Sequence, residues 1–193
     1  GMGASFHAAT WGAGVLCQRG IRAVAVEASE LMHFSHALLD DADLVVFISQ
    51  SGASAEIEPL LNGSLSPERL LAVTNQPASR LGRSARYVLP LFAGSERTVA
   101  TMTYLNSLAS LWLLAQAWSG KTVTAEAPRL LRVAEAVDDL LSDTGALVVD
   151  WHRAFDSAET LYFLGHGPHA ATARQSAMMM SEVVKRPAIG TGI

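Results

Sequence analysis

The chain is poor in the residues that mark several common chemistries. One cysteine, Cys17, stands among 193 residues. A disulfide within the chain needs two thiols and a thiolate zinc site needs more, so neither framework is open, and a reducing cytoplasm is the expected compartment. Lysine occurs only at Lys121 and Lys185. The G-x-x-x-x-G-K-[ST] phosphate loop is missing, since Ala115 stands where the pattern before Gly120 and Lys121 needs glycine, and an anion must be held locally, by a cradle that needs no lysine. Charged residues make up 17% of the chain and the net charge is -4, which provides neither a basic surface for nucleic acid nor a charge-rich disordered tail. Long hydrophobic runs are scarce as well. The longest, "LASLWLLAQAW", is broken by Ser110 and Gln116 and is too short to cross a bilayer. The expectation is a soluble protein with no membrane and no nucleic-acid partner.

What is present is apolar: half of the residues are hydrophobic, enough for the core of one domain or of a domain and a fragment. The runs "IRAVAVE" (21–27), "DLVVFIS" (43–49), "LLAVT" (70–74) and "RYVLPL" (86–91) read as strands. None shows the polar alternation of a sheet with one wet face, so helices must cover both faces. Helices are expected over 5–18, 28–39, 54–62, 78–84 and 97–118, giving an α/β fold, a three-layer α/β/α sandwich on a parallel sheet. Pro90 cannot donate to a ladder, which makes the fourth run an edge strand.

Beyond residue 120 the segments 126–142 and 144–158 read as a helical connector, opened by Pro128 in a first turn and split near Gly145. A strand then returns in "TLYFLGHGPHAAT" (160–172), which echoes "GMGASFHAAT" (1–10): each has G-x-G followed by "HAAT". The second copy has a strand before its glycines and the first does not. The expected organisation is a first domain over 1–120 whose leading strand is missing, a connector over 121–159, and the beginning of a second domain over 160–193, within a longer protein.

The chemistry concentrates in "FISQSGAS", residues 47–54. A buried strand there runs into Ser49, Gln50, Ser51 and Ser54 around one glycine, with a helix expected to begin at Ala53. Hydroxyls, an amide and the unpaired N–H groups of a helix start make a cradle for an anion that needs no lysine. Ser and Gly also serve as ordinary caps, but three hydroxyls and an amide in six residues exceed what a cap requires. In an open parallel sheet ligands lie beyond the carboxyl ends of the strands, where "GMGAS" would bring Ser5 to the same place. A serine nucleophile elbow is excluded, because G-x-S-x-G is not satisfied around either Ser49 or Ser51.

"FISQSGAS" resembles the phosphosugar-binding signature of the sugar isomerase (SIS) domain family, typified by the isomerase half of glucosamine-6-phosphate synthase. "GMGASFHA", "LLAVTN", "GSERTVATMTYLNSLASLWLLA" and "LYFLGHGPHAATARQSAMMMSEV" are similar to further parts of that family in the same order. The resemblance implies a flavodoxin-like sandwich that binds sugar phosphates, with paired domains in one chain, often as a homodimer, and it calls for no cofactor and no metal. It implies phosphate contacts from Ser5, Ser49, Gln50, Ser51 and Ser54, and a backbone contact to the sugar from Val99. It further implies that Glu182 is the base that moves a proton between C1 and C2. The implied activity is sugar-phosphate aldose-ketose isomerisation, or aminosugar-phosphate isomerisation or deamination. The alternative is a non-catalytic module that senses a sugar phosphate.

Departures from the family pattern are specific. Ala4 stands where a hydroxyl residue is usual, Met179 and Ser181 where the synthase has lysines, and Gln175 where it has a glutamate. The family's ring-opening histidine and terminal lysine would fall beyond Ile193. Among the histidines, His33 with His36 and His166 with His169 lack the carboxylates or thiols of a zinc site, whereas His7, two residues past Ser5, reaches a sugar if its helix points into the site.

Overall fold

The computed structural model describes residues 1–63, 65–96 and 99–193. In chain order the regular elements are α1 (Gly3–Cys17), α2 (Ala28–His33), β1 (Val45–Ile48), α3 (Ile57–Asn62), β2 (Leu70–Thr74), α4 (Arg80–Ser84), β3 (Tyr87–Pro90) and α5 (Met102–Trp118). They are followed by α6 (Val123–Phe155), β4 (Leu161–Gly165), α7 (His169–Met179) and β5 (Ala188–Gly192).

The first three strands form one parallel sheet in the order β1-β2-β3, with Phe47 opposite Ala72 and Val73 opposite Leu89. β2 is buried along its whole length, and its side chains alternate between two cores. Leu70 and Ala72 join Leu31, Phe47, Ile57, Leu60 and Leu81 under α2, α3 and α4. Leu71 and Val73 join Ala8, Ile48, Tyr104 and Leu111 under α1 and α5. A period of two places successive residues on opposite faces, so an unbroken apolar run is what a strand between two helix layers requires. The three-layer α/β/α arrangement is thus the observed one, and Pro90 lies on the edge strand β3.

The run 21–27 is not a strand. Its burial alternates, with Arg22 and Val24 exposed while Ile21 and Ala23 pack on Val15, Leu16 and Ala115, but among the described residues it has no ladder partner. An extended segment becomes a strand only when a second backbone lies opposite; just past this run, Ala28 N–H donates to the Gly1 carbonyl at 3.0 Å, outside the sheet. The helix expected over 54–62 starts at Ile57. Pro59 is the reason: a helix begun near 54 would need its N–H in the second turn, whereas a start at Ile57 puts Pro59 in the first, where that N–H is not used. Residues 97 and 98, where the next helix is expected to begin, lie outside the described residues; the helix itself is present from Met102.

The connector is one helix of 33 residues, α6, with no break at Gly145 and with Pro128 in its interior. A glycine costs only about 1 kcal/mol inside a helix and does not end one by itself. Pro128 leaves the carbonyl four residues earlier, that of Thr124, without its usual donor. Beyond it β4, α7 and β5 make a second parallel pair with its crossover helix, Tyr162 lying opposite Ile189. β5 is absent from the sequence expectation, and its "AIGTG" explains why: glycine is a weak strand signal. Gly190 is there for contact, since a Cβ on it would fall 2.4 Å from the Ala173 carbonyl oxygen of α7. Among the described residues no helix is long and apolar enough to cross a membrane.

Candidate functional site

The carboxyl ends of β1, β2 and β3 are tied together by side chains from the loops that leave them. Ser49 N–H donates to the Val73 carbonyl at 3.0 Å, continuing the ladder past β1, and the Gln50 carbonyl accepts from Asn75 N–H at 3.2 Å. Asn75 then reaches the loop after β3: its Nδ2 donates to the Gly94 carbonyl at 2.6 Å and its Oδ1 accepts from Ala93 N–H at 2.9 Å. One amide thereby holds two strand ends in register with the loop that leads to α5.

Within the serine turn the hydroxyls have different surroundings. Ser49 is buried and its Oγ accepts from Gly52 N–H at 3.1 Å. Ser51 is exposed and its Oγ accepts from Ala53 N–H at 3.3 Å, which leaves the hydroxyl proton to give away. Gln50 and Ser54 are half-buried, and their side chains make no hydrogen bond among the described residues. The turn depends on Gly52, whose φ of +60° lies in the left-handed region and whose absent Cβ would sit 1.9 Å from Ser79 Oγ. The six-residue α3 starts three residues past Ser54, so the turn offers its hydroxyls, its amide and its loop N–H groups without a helix start beside them.

Opposite the turn stands α1, with Ser5 in its first turn. Ser5 and Gln50 line one small cavity of about 10 Å³, room for about one water molecule, together with Ala4, Leu91, Ala100, Thr103, Tyr104 and Ser107. Thr103, Tyr104 and Ser107 lie on one face of the start of α5, and Ala100 lies just before it. Two expected cradle residues, Ser5 of α1 and Gln50 of the loop after β1, therefore meet at the carboxyl edge of the sheet. Val99 is half-buried beside this face, and it is the next residue, Ala100, that lines the cavity.

The α5 face is held by a residue that the sequence reading did not single out. Glu96 Oε1 accepts from Thr101 N–H at 2.8 Å, Met102 N–H at 2.6 Å and Thr101 Oγ1 at 3.1 Å, while Oε2 accepts from Thr103 N–H at 3.2 Å and from Thr103 Oγ1. Partial burial pushes the Glu96 carboxyl up, but these hydrogen bonds outweigh it and hold the pKa below the ordinary carboxylate value. The available signal is a carboxylate a few residues before an apolar helical run, displaced from the usual capping position by a loop.

Glu182 lies outside the cavity lining. It is exposed, in a π-helical turn over Met180–Val184 that follows α7. The end of α7 does approach the first glycine turn: Met178 Sδ is 3.9 Å from where a Cβ on Gly3 would stand. His7 points across to α7 as well, with its Nδ1 donating to Oε1 of the buried Gln175 at 2.9 Å.

A parallel sheet between two helix layers, with a small cavity at its carboxyl edge, defines the class of open α/β proteins that bind ligands at strand ends. Within that class the chain belongs to the SIS domain family, which matches residues 1–117. Among curated relatives it is 27% identical over 190 residues to the isomerizing glutamine–fructose-6-phosphate aminotransferase of Clostridium perfringens and 31% identical over 183 residues to that of Methanothermobacter thermautotrophicus. These alignments cover 94% of this chain but only 31% and 30% of those proteins, so the chain spans less than a third of their length. Among solved structures, the C-terminal domain of glucosamine-fructose-6-phosphate aminotransferase from Francisella tularensis superposes with a TM-score of 0.82 at 20% identity, covering 98% of this chain and 56% of that one. Glucosamine-6-phosphate deaminase from Thermotoga maritima superposes with a TM-score of 0.70 at 19% identity, covering 99% and 59%. At these identities the superpositions establish the fold.

Proposed function

We propose that the chain is the phosphosugar-binding part of an enzyme that acts on a sugar phosphate, an aldose-ketose isomerase or an aminosugar-phosphate isomerase or deaminase. The observation that carries this reading is the meeting of Ser5 and Gln50 on one cavity at the carboxyl edge of the sheet. In it the serine turn takes the phosphate through Ser49, Gln50, Ser51 and Ser54, and Ser5 closes the cradle from α1, while the Val99 backbone faces the sugar. The enzyme reading is favoured over a sensing module by the relatives named as glutamine–fructose-6-phosphate aminotransferases. Residues 1–120 serve as one SIS unit, 121–159 as the connector and 160–193 as the opening of a second unit, in a cytoplasmic homodimer. The exposed apolar side chains of Leu105 and Trp118 on α5 and of Leu140 and Leu141 on α6 supply surface for that assembly.

Glu182 is the base in this reading. Its carboxylate takes the proton from the carbon beside the sugar carbonyl and returns it to the neighbouring carbon through an enediol, a transfer that needs hydrogen-bond reach to both positions. The approach of Met178, one helical turn earlier, to Gly3 supports placing Glu182 near the cradle.

The test is thermal stabilisation by sugar phosphates set against the same sugars without phosphate. A ligand at a hundred times its Kd stabilises the folded state by about 2.7 kcal/mol, a shift of several degrees. The expected result is a shift that needs the phosphate and is lost in Ser51→Ala. Equal shifts with unphosphorylated sugars, or none with any phosphate, would remove the proposal.

A further inference from the structure

α1 brings Ser5 to the cavity it shares with Gln50, and with another face it packs against α7. Gly3, His7 and Gly14 share that second face. The approach is close at both of its ends: Met178 Sδ stands 3.9 Å from the position of a Cβ on Gly3, and Pro168 Cγ 3.1 Å from that of a Cβ on Gly14. Glycines supply no side chains to stop one helix from sliding along the other. Between them lies a polar pair, His7 Nδ1 donating to Gln175 Oε1 at 2.9 Å across 168 positions of sequence. Gln175 is 4% exposed and its Nε2 has no partner, so this is the bond on which its side chain depends among the described residues. Sliding α7 by one turn would leave a buried amide wholly unpaired, at a cost of about 1–3 kcal/mol. A buried polar pair of this kind selects one register among those that apolar contacts alone would allow.

We propose that His7 is a positioning residue: through Gln175 it fixes the register of α7 on α1, and with it the place of Glu182 relative to the serine turn. This rests on the function proposed above and adds to it the contact that aligns the base. Glu182 stands two helical turns beyond Gln175, past the end of α7, so a slip of α7 by one turn carries the carboxylate about 5 Å. A misplacement of about 1 Å can already cost about 100-fold in rate. His7 is absent from the lining of the cavity that holds Ser5 and Gln50, so its loss acts on proton transfer and leaves phosphate binding in place.

The experiment compares the full chain with His7→Leu, Gln175→Leu and His7→Asn, whose side-chain amide nitrogen takes the place of Nδ1. Register is read by NMR, as the contact between the Met178 methyl group and the Gly3 α-protons in the folded protein. Proton transfer is read as solvent deuterium entering fructose 6-phosphate or glucosamine 6-phosphate. In the two leucine variants the contact should be lost and kcat should fall about 10- to 100-fold, with KM within about twofold of wild type. His7→Asn should keep both the contact and the rate. A contact that survives in folded His7→Leu, or a lower thermal midpoint with contact and kcat unchanged, would reduce the bond to a structural one and overturn the assignment. Loss in His7→Asn equal to that in His7→Leu would overturn it as well. A wild type that binds sugar phosphates but exchanges no proton would remove the isomerase reading and the positioning role with it, while the cradle would stand.

Discussion

Glu96 receives five hydrogen bonds from three consecutive residues, Thr101 to Thr103, and so decides where α5 starts and which way Thr103 and Tyr104 face. Glu96→Gln replaces one acceptor oxygen by an amide that cannot accept, at a cost of about 1 kcal/mol by analogy with lost helix caps. The pH dependence has a definite sign. The carboxyl is held below its ordinary pKa in the folded protein, so its stabilisation is complete above the unfolded carboxylate pKa and is lost as the pH falls through the lower, folded value. Thermal midpoints of wild type and Glu96→Gln should differ at pH 7 and converge in acid once the pH is below the lowered pKa of the folded carboxyl; a gap that persists there would mean that the side chain acts by packing. At this scale the serine motif was legible because it is local. The role of Glu96 was not, because its partners are set by the path of a loop.

At the scale of elements, the departures from expectation each have a local cause or a missing neighbour. Pro59 delays α3 to Ile57, a signal that was available in the sequence. The alternating 21–27 run lacks a ladder partner, which no reading of the run itself could supply. α6 continues past Gly145 because a single glycine costs less than ending and restarting a helix, where nucleation is unfavourable. Nothing lies within 4 Å of the position a Cβ would take at Gly145. Gly145→Ala should therefore stabilise the helix by up to about 1 kcal/mol, read as a higher urea midpoint of the helical circular dichroism signal. A lower midpoint would show that the glycine is needed for a bend or a contact. The apolar stripe of the same helix, including Leu140, Val148, Trp151 and Phe155, is exposed, and the helix has no buried residue.

For the whole molecule, β2 is the member on which both cores depend. Leu70 is 0% exposed on one face and Leu71 6% exposed on the other. Replacing either by alanine removes about 2–5 kcal/mol, the range for buried leucines whose cavities collapse only partly. Because both cores share the sheet, the two substitutions should lower one common unfolding transition, followed by circular dichroism and by tryptophan fluorescence. Separate transitions for the two variants would mean that the helix layers unfold independently. The net charge of -4 belongs to this scale too: the surface field offers no general attraction to an anion.

The amino-acid sequence by itself determined the layered class, the edge position of β3 and the place of the serine turn, since apolar runs, proline and hydroxyl clusters act through covalent geometry and near neighbours. Only the tertiary structure decided which of those groups are available to a ligand. Ser5 and Gln50 meet across the sheet edge, Asn75 and Glu96 fix the loop between them, and on the α5 wall the hydroxyls of Thr103 and Ser107 are used internally. Burial and hydrogen-bond partners come from residues far apart along the chain, and they exist only once the chain has folded.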